Sequence, residues 1–275
     1  MSAWLAELRH ALDASPHAVA FFFRTDDAGW SDDRLLELLD LFARYSLPIN
    51  IAAIPIALTF SIAAELRSRI EAEPDRVAIH QHGFSHQNHE SVGRKCEFGA
   101  ARAAALQQSD IESGKKRLFD LIGPRVSPVF TPPWNRCTSV TGECLRRAGL
   151  HILSRDATAA PLNLDGLYEL PVTIDWFARR KGVRLSQHEL GEALAASVRT
   201  SDPVGIMFHH ALMDADEQRR AGELLALLAS HQNAQCYLME RIITELSQDI
   251  TAQVKGHAAG WRPSVMPSPA QPERK

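Results

Sequence analysis

Short apolar runs alternate with amphipathic stretches along most of the chain. HAVAFFFRT, ending at Thr25, reads as a strand buried on both faces, and DDRLLELLDLFARYS after it repeats apolar residues at helical spacing. PINIAAI, a helix across residues 63–71 and RVAIHQH continue the rhythm. A long helix at about 99–122 follows, then a strand at SPVFT, a helix at SVTGECLRRAG, a strand at HILS and an irregular strand at YELPVTI. A helix near 186–199, the strand VGIMFHH, a helix at 216–230, a strand at 235–238 and a short helix close the series. The alternation predicts parallel βα units, and about seven of them would close an α/β barrel. Residues 1–255 are expected to form one domain. From 256 the chain carries four prolines, charge and no apolar period, so residues 256–275 are expected to be disordered.

The polar residues able to do chemistry fall where these strands end. Asp26 and Asp27 follow the first, His80 to His86 the third, Pro133 to Asn135 the next, and Asp175 and His209 later ones. In an α/β barrel that rim is where loops from different strands converge on one pocket.

Composition narrows the choice by exclusion. The 275 residues are 45% hydrophobic, enough for a sizeable core, and a net charge of -3 with scattered Lys and Arg leaves no footprint for nucleic acid. Cys96, Cys137, Cys144 and Cys236 lack any metal spacing and read as free thiols of a reducing compartment. The amphipathic first fifteen residues do not read as a signal peptide, and no stretch reaches the ~18 apolar residues of a transmembrane segment. The expected location is cytoplasmic; the oligomeric state is left open.

Taken alone, the HxxxH pair His82 and His86 is a weak signal among twelve histidines. Its setting, HQHGFSHQNH, strengthens it, because Gly83 permits a sharp turn just past a strand that brings both imidazoles to one side. It is not a zincin helix, which needs Glu directly after the first His. Asp26 and Asp27 could cap the following helix, but Ser31 and Asp32 already suit that start, so two carboxylates remain. Adjacent residues leaving a strand diverge, so one can ligate a cation while the other faces a reacting water. Two His and one carboxylate suit an open catalytic zinc centre and equally a ferrous oxygenase; a spare Asp and a distant His beside the metal favour hydrolysis.

These motifs, in this order, resemble the NodB-homology polysaccharide deacetylases, carbohydrate esterase family four, over roughly residues 18–237. TFDDG is matched by Arg24-Thr25-Asp26-Asp27-Ala28 in its two Asp, which implies Asp26 as general base and Asp27 as metal ligand. HSxxH is matched by His82-Gly83-Phe84-Ser85-His86, implying both His as ligands. The FRPPYG-like stretch is similar to Phe130-Thr131-Pro132-Pro133-Trp134-Asn135, with a backbone N–H near Trp134 for the oxyanion. DxxDW retains Asp175 and Trp176, and LxH is similar to Met207-Phe208-His209; the resemblance implies His209 as general acid, oriented by Asp175. It further implies a distorted (β/α)7-type barrel, one divalent ion (zinc first; cobalt, manganese or nickel as substitutes) and an acetylated sugar as substrate, with Trp134, Asn135 and Trp176 in contact with it.

Several positions depart from the family. Its Arg, which braces the catalytic Asp, is Thr131, its terminal Gly is Asn135, the first Asp of DxxDW is Val172, and His210 stands where an Asp is frequent. A replacement cation is expected beside Asp26: Arg136 first, as a member of the same rim loop, and Arg24 second, since it shares the face of Asp26 if the strand stays regular; Arg155 is a further possibility. His80 is expected to point into the barrel or pack structurally, and His89 and Glu90 to be solvated. Trp30 could also stack on a sugar. Two other functions compete with deacetylation: an allantoinase-like hydrolase of ring amides, and a non-catalytic sugar-binding descendant that lost the family Arg.

Overall fold

Strand β1 (Val19–Ala28) carries the apolar run and is paired on both edges, which is why Phe21, Phe22 and Phe23 are all buried. The structure, a computed structural model, describes residues 2–201 and 203–245. The disorder expected of 256–275, and any domain boundary at 255, lie outside them. One compact unit runs to Ile242.

Before β1 comes helix α1 (Ala6–Asp13). After it, α2 (Asp32–Arg44) leads to β2 (Ile49–Ala53), α3 (Phe60–Ala72) to β3 (Val77–His82), α4 (Ala104–Ile122) to β4 (Val126–Thr131) and α5 (Ser139–Arg147) to β5 (Ile152–Leu153). Two short strands, β6 (Tyr168–Glu169) and β7 (Ile174–Asp175), lie on one extended segment, followed by a hairpin of β8 (Arg179–Arg180) and β9 (Val183–Arg184). Then come α6 (Gln187–Thr200), β10 (Val204–His209), α7 (Ala215–Ser230) and β11 (Ala234–Cys236). The long helix is shorter than its pattern predicts, since residues 99–103 form turns ahead of α4.

The main sheet is wholly parallel, in the order β6-β5-β4-β3-β2-β1-β10-β7, with β11 on the first residues of β1. Its two ends belong to the same segment. Tyr168 and Glu169 pair with β5, Val172 bridges Asp156, and Ile174 and Asp175 pair with β10. The sheet therefore curls until residues 168–175 join both edges, giving the distorted seven-stranded barrel.

Alternation along the strands sorts the side chains. Phe21 and Phe23 of β1, Ile206 and Phe208 of β10, and Ile174 with Trp176 beyond it face outward into the helical layer, where Leu35, Leu38, Leu39 and Phe42 of α2 repeat at helical spacing. The other face turns inward. Phe22 fills the interior opposite Gly205, where an added Cβ would lie 2.2 Å from its ring. Above Phe22, towards the strand ends, the inward positions become Arg24, Asp26, His80, His82, Thr131 and Ser154, all buried.

Candidate metal and hydrolytic site

The strand breaks its regularity at the two carboxylates. The pairing of β1 with β2 shifts between Thr25 and Ala28, and Asp27 takes φ 72. This bulge keeps Asp26 on the interior face while Asp27 swings towards the third strand. There Gly83, at φ +59, turns the chain after His82; a Cβ would meet Glu97 Oε2 at 2.2 Å and Pro133 at 2.6 Å. His86 also has positive φ, as do Trp134 and Asn135 across the rim. Such conformations are strained for non-glycine residues and cluster at functional sites.

Asp27 Oδ1 lies 3.1 Å from His82 Nε2 and 3.2 Å from His86 Nε2. His82 Nδ1 faces the Thr131 carbonyl at 3.0 Å, and since a carbonyl only accepts, Nδ1 carries a proton. A neutral His82 then aims a lone pair at a carboxylate, an arrangement that needs a cation between or upon them. Burial opposes charge on both groups. It is overcome at His82 by Asp27 and Asp26, which hold its pKa above the ordinary value, and at Asp27 by hydrogen bonds from both His, which hold it well below. Four ligands at zinc distances stand about 3.3 Å apart at tetrahedral corners. The edges at Asp27 fit that figure, and all three ligand atoms lie within 4.8 Å of one another. A divalent ion would fit these donors, held by Asp27, His82 and His86.

Asp26 is clamped by Arg24, whose Nε donates to Oδ1 at 2.7 Å and Nη2 to Oδ2 at 2.9 Å. Burial alone would raise the Asp26 pKa; Arg24, His82 and His209 outweigh it and hold the carboxyl below its usual range. Arg24 is itself held by the Ser154 hydroxyl at 2.8 Å and by Asn135 Oδ1 at 2.7 Å. The first candidate for this role, Arg136, is elsewhere: its guanidinium donates to the Lys95 carbonyl at 2.9 Å. The two left-handed residues before it, Trp134 and Asn135, turn the chain away from Asp26, whereas Arg24 needs only the two-residue period of a strand. Arg155 pairs with Glu169 at 2.5 Å.

Two further expectations are corrected. Trp176 is a core residue, not a substrate contact: its ring packs on Trp4 and Phe208, and its Nε1 donates to buried Glu217 at 2.7 Å. As the neighbour of inward-facing Asp175 it must point outward. The orientation of His209 by Asp175 that the resemblance implies is not made through a hydrogen bond between them among the described residues. Asp175 Oδ1 accepts from Phe177 N at 2.8 Å, and His209 Nδ1 is buried without a partner. Burial raises the Asp175 pKa. His209 pairs in register with Asp26 across β1 and β10, placing it on the same face.

Trp134 packs on the His86 ring at 4.5 Å between centroids, with Trp30 on His86 edge-on at 4.8 Å. His210 holds the Trp30 loop, donating from Nε2 to the Trp30 carbonyl at 2.8 Å. Ser31, expected to cap α2 with its side chain, stands at the cap position in the left-handed region without a capping bond. His80 points inward, its Nε2 2.9 Å from Thr131 Oγ1; burial, then Arg24, pushes its pKa down to about 3.

Glu97 escaped the reading of the sequence. It is fully buried and accepts from Phe84 N, Ser85 N and Ser85 Oγ at 3.3, 2.7 and 2.8 Å, bracing the loop between the two ligand His. It lies in a polar stretch without periodicity, so nothing local marks it. Ser154 could have been found as the inward residue ending HILS.

A cleft of about 650 Å³ opens beside Trp134, Asn135, Asp175 and Met207 and runs past Arg94, Arg136 and Arg155. A smaller hollow of about 310 Å³ lies between His209, Asp175 and Phe177.

No protein-family model matches the chain, and no curated protein is significantly similar in sequence. Solved structures do match. A protein of polysaccharide deacetylase type from Mycobacterium smegmatis superposes with TM-score 0.64 at 15% identity, covering 94% of this chain and 97% of that one. The peptidoglycan deacetylase PdaC of Bacillus subtilis gives 0.56 at 11% identity, covering 89% and 99%. A family 4 acetyl xylan esterase from Clostridium thermocellum, in complex with a cobalt ion, gives 0.53 at 13% identity, covering 82% and 90%. The fold is that of the NodB-type deacetylases. Among the described residues no helix is long and apolar enough to cross a membrane.

Proposed function

We propose that the chain is a metal-dependent hydrolase that removes an acetyl group, from nitrogen before oxygen, from a sugar or polysaccharide precursor. The observation that carries this reading is the juxtaposition of Asp27, His82 and His86 with a second carboxylate, Asp26, clamped by Arg24. A fold relative in complex with a cobalt ion, the acetyl xylan esterase, supports it.

Asp27, His82 and His86 would hold the ion, zinc first, with cobalt, manganese or nickel as substitutes. When bound, it supplies Lewis acidity to the acetyl carbonyl and to a water. Asp26, kept ionised by Arg24, takes the proton from the attacking water. Arg24 also fixes the direction of the carboxylate, and Asn135 and Ser154 fix Arg24. Trp134 walls the site beside His86, and its loop offers backbone N–H to the oxyanion. His209, beside Asp26, protonates the departing amine, and acetate and the free amino sugar result.

The test is free acetate released from N-acetylated and O-acetylated sugars by the metal-loaded protein. Acetate from the sugars, absent in Asp26→Asn, is the expected outcome. Ammonia or ureide from ring amides without acetate would replace this reading with the allantoinase-like one, and no turnover of either class would leave the non-catalytic one.

A further inference from the structure

The 650 Å³ cleft is larger than removal of an acetyl group requires, and its far wall is basic. Arg94 and Arg136 both line it and lie close enough for Arg94, after burial, to lower the Arg136 pKa. Lys95 adds a third charge, its Nζ 5.9 Å from the centroid of Trp134. None of the three has a carboxylate within 4.0 Å among the described residues. The acids nearby do not answer them. Asp156 turns its carboxylate into its own loop, accepting from Thr158 N at 2.8 Å and Thr158 Oγ1 at 2.6 Å, and Glu169 is spent on Arg155 and on Leu162 N. Asp175 at the near end accepts from Phe177 N.

Cations gathered on one wall repel each other, and an anion bound between them relieves that repulsion. Guanidinium forks match the planar or tetrahedral oxygens of carboxylate and phosphate, whereas a neutral glycan is met by aromatic faces and hydroxyl partners. Trp134, Asn135 and Asp175 of the candidate site line the same cleft as Arg136 and Arg94, which puts these cations within the reach of a substrate larger than its acetyl group.

We propose that the substrate carries an oxyanion, a phosphate or a carboxylate, bound by Arg94 and Arg136. This rests on the deacetylase reading and names its substrate class. The experiment compares acetate release from N-acetylglucosamine, N-acetylglucosamine 1-phosphate and N-acetylmuramic acid, using the metal-loaded chain and its Arg94→Gln/Arg136→Gln variant. We expect kcat/KM for one charged substrate to exceed the neutral one by about tenfold or more, with the variant losing that margin through KM. The phosphate and carboxylate arms identify the anion. Equal kcat/KM for all three, or a margin that survives in the variant, overturns the proposal. If no substrate releases acetate, the deacetylase reading fails and the cleft is judged by binding of glucose 1-phosphate and glucuronate, neither of which has an acetyl group. Binding of either that weakens at least tenfold in the variant upholds an anion site here. No binding, or equal binding to both proteins, removes it.

Discussion

Asp26 and Arg24 show how a missing side chain can be supplied from another place on the same face. Thr131 cannot carry charge, but a strand puts residues i and i+2 side by side, and Arg24 reaches Asp26 with both arms of its fork. If Asp26 is the base, Asp26→Asn keeps its bound metal and lowers kcat by about 10² or more, measured as acetate release beside elemental analysis. Loss of metal instead would make Asp26 a ligand. His80 gives a pH prediction with a definite sign. Its pKa falls to about 3 in the folded state from an ordinary 6.5, so between those values the unfolded chain binds the extra proton. Stability contributed by neutral His80 is full above about pH 6.5 and declines as pH falls towards 3. The slope is about 1.4 kcal/mol per pH unit for one proton. A dication at His82 would only deepen the depression. Urea midpoints of His80→Gln and the parent should therefore converge on acidification from pH 7 to 4; a constant difference would show that His80 does not titrate.

Among the elements, the turn after β3 carries most of the site. Gly83 makes the turn, His82 and His86 flank it, and Glu97 braces it from the next loop. Replacing Glu97 by Gln puts a donor where three donors already converge. Metal affinity should fall by about 10- to 100-fold, the usual consequence of disturbing the support of a ligand, as read by competition with a chromogenic chelator. Unchanged affinity would mean that the loop holds itself. Trp176 belongs to the opposite layer. Trp176→Phe should lower stability by about 1–3 kcal/mol, through the lost bond to buried Glu217, and leave KM near the parent value. A large rise in KM without loss of stability would restore it to the substrate side.

For the whole molecule, the sequence carried more of the architecture than of the site. From β1 onward the alternation of buried strands and amphipathic helices predicts each large element, and the strand ends hold Asp26, Asp27, His82, His86 and His209, which the structure brings to one rim. The closure was harder to read, because YELPVTI is two short pairings on different partners with no period of its own. Proximity in sequence to Trp134 favours Arg136 and strand alternation favours Arg24; two consecutive left-handed residues, which no composition rule announces, carry Arg136 away. The motif position of Trp176 points to the substrate, but the alternation that Asp175 imposes on it turns it into the core. What these residues share is dependence on backbone direction, fixed only when distant strands meet.

The account stands on a divalent ion at Asp27, His82 and His86. Elemental analysis of the purified chain after loading with zinc and exhaustive desalting, beside His82→Ala/His86→Ala treated in the same way, tests it most directly. The geometry predicts about one zinc per parent chain and none in the variant; a parent without metal, or a variant that keeps a full equivalent, would contradict it.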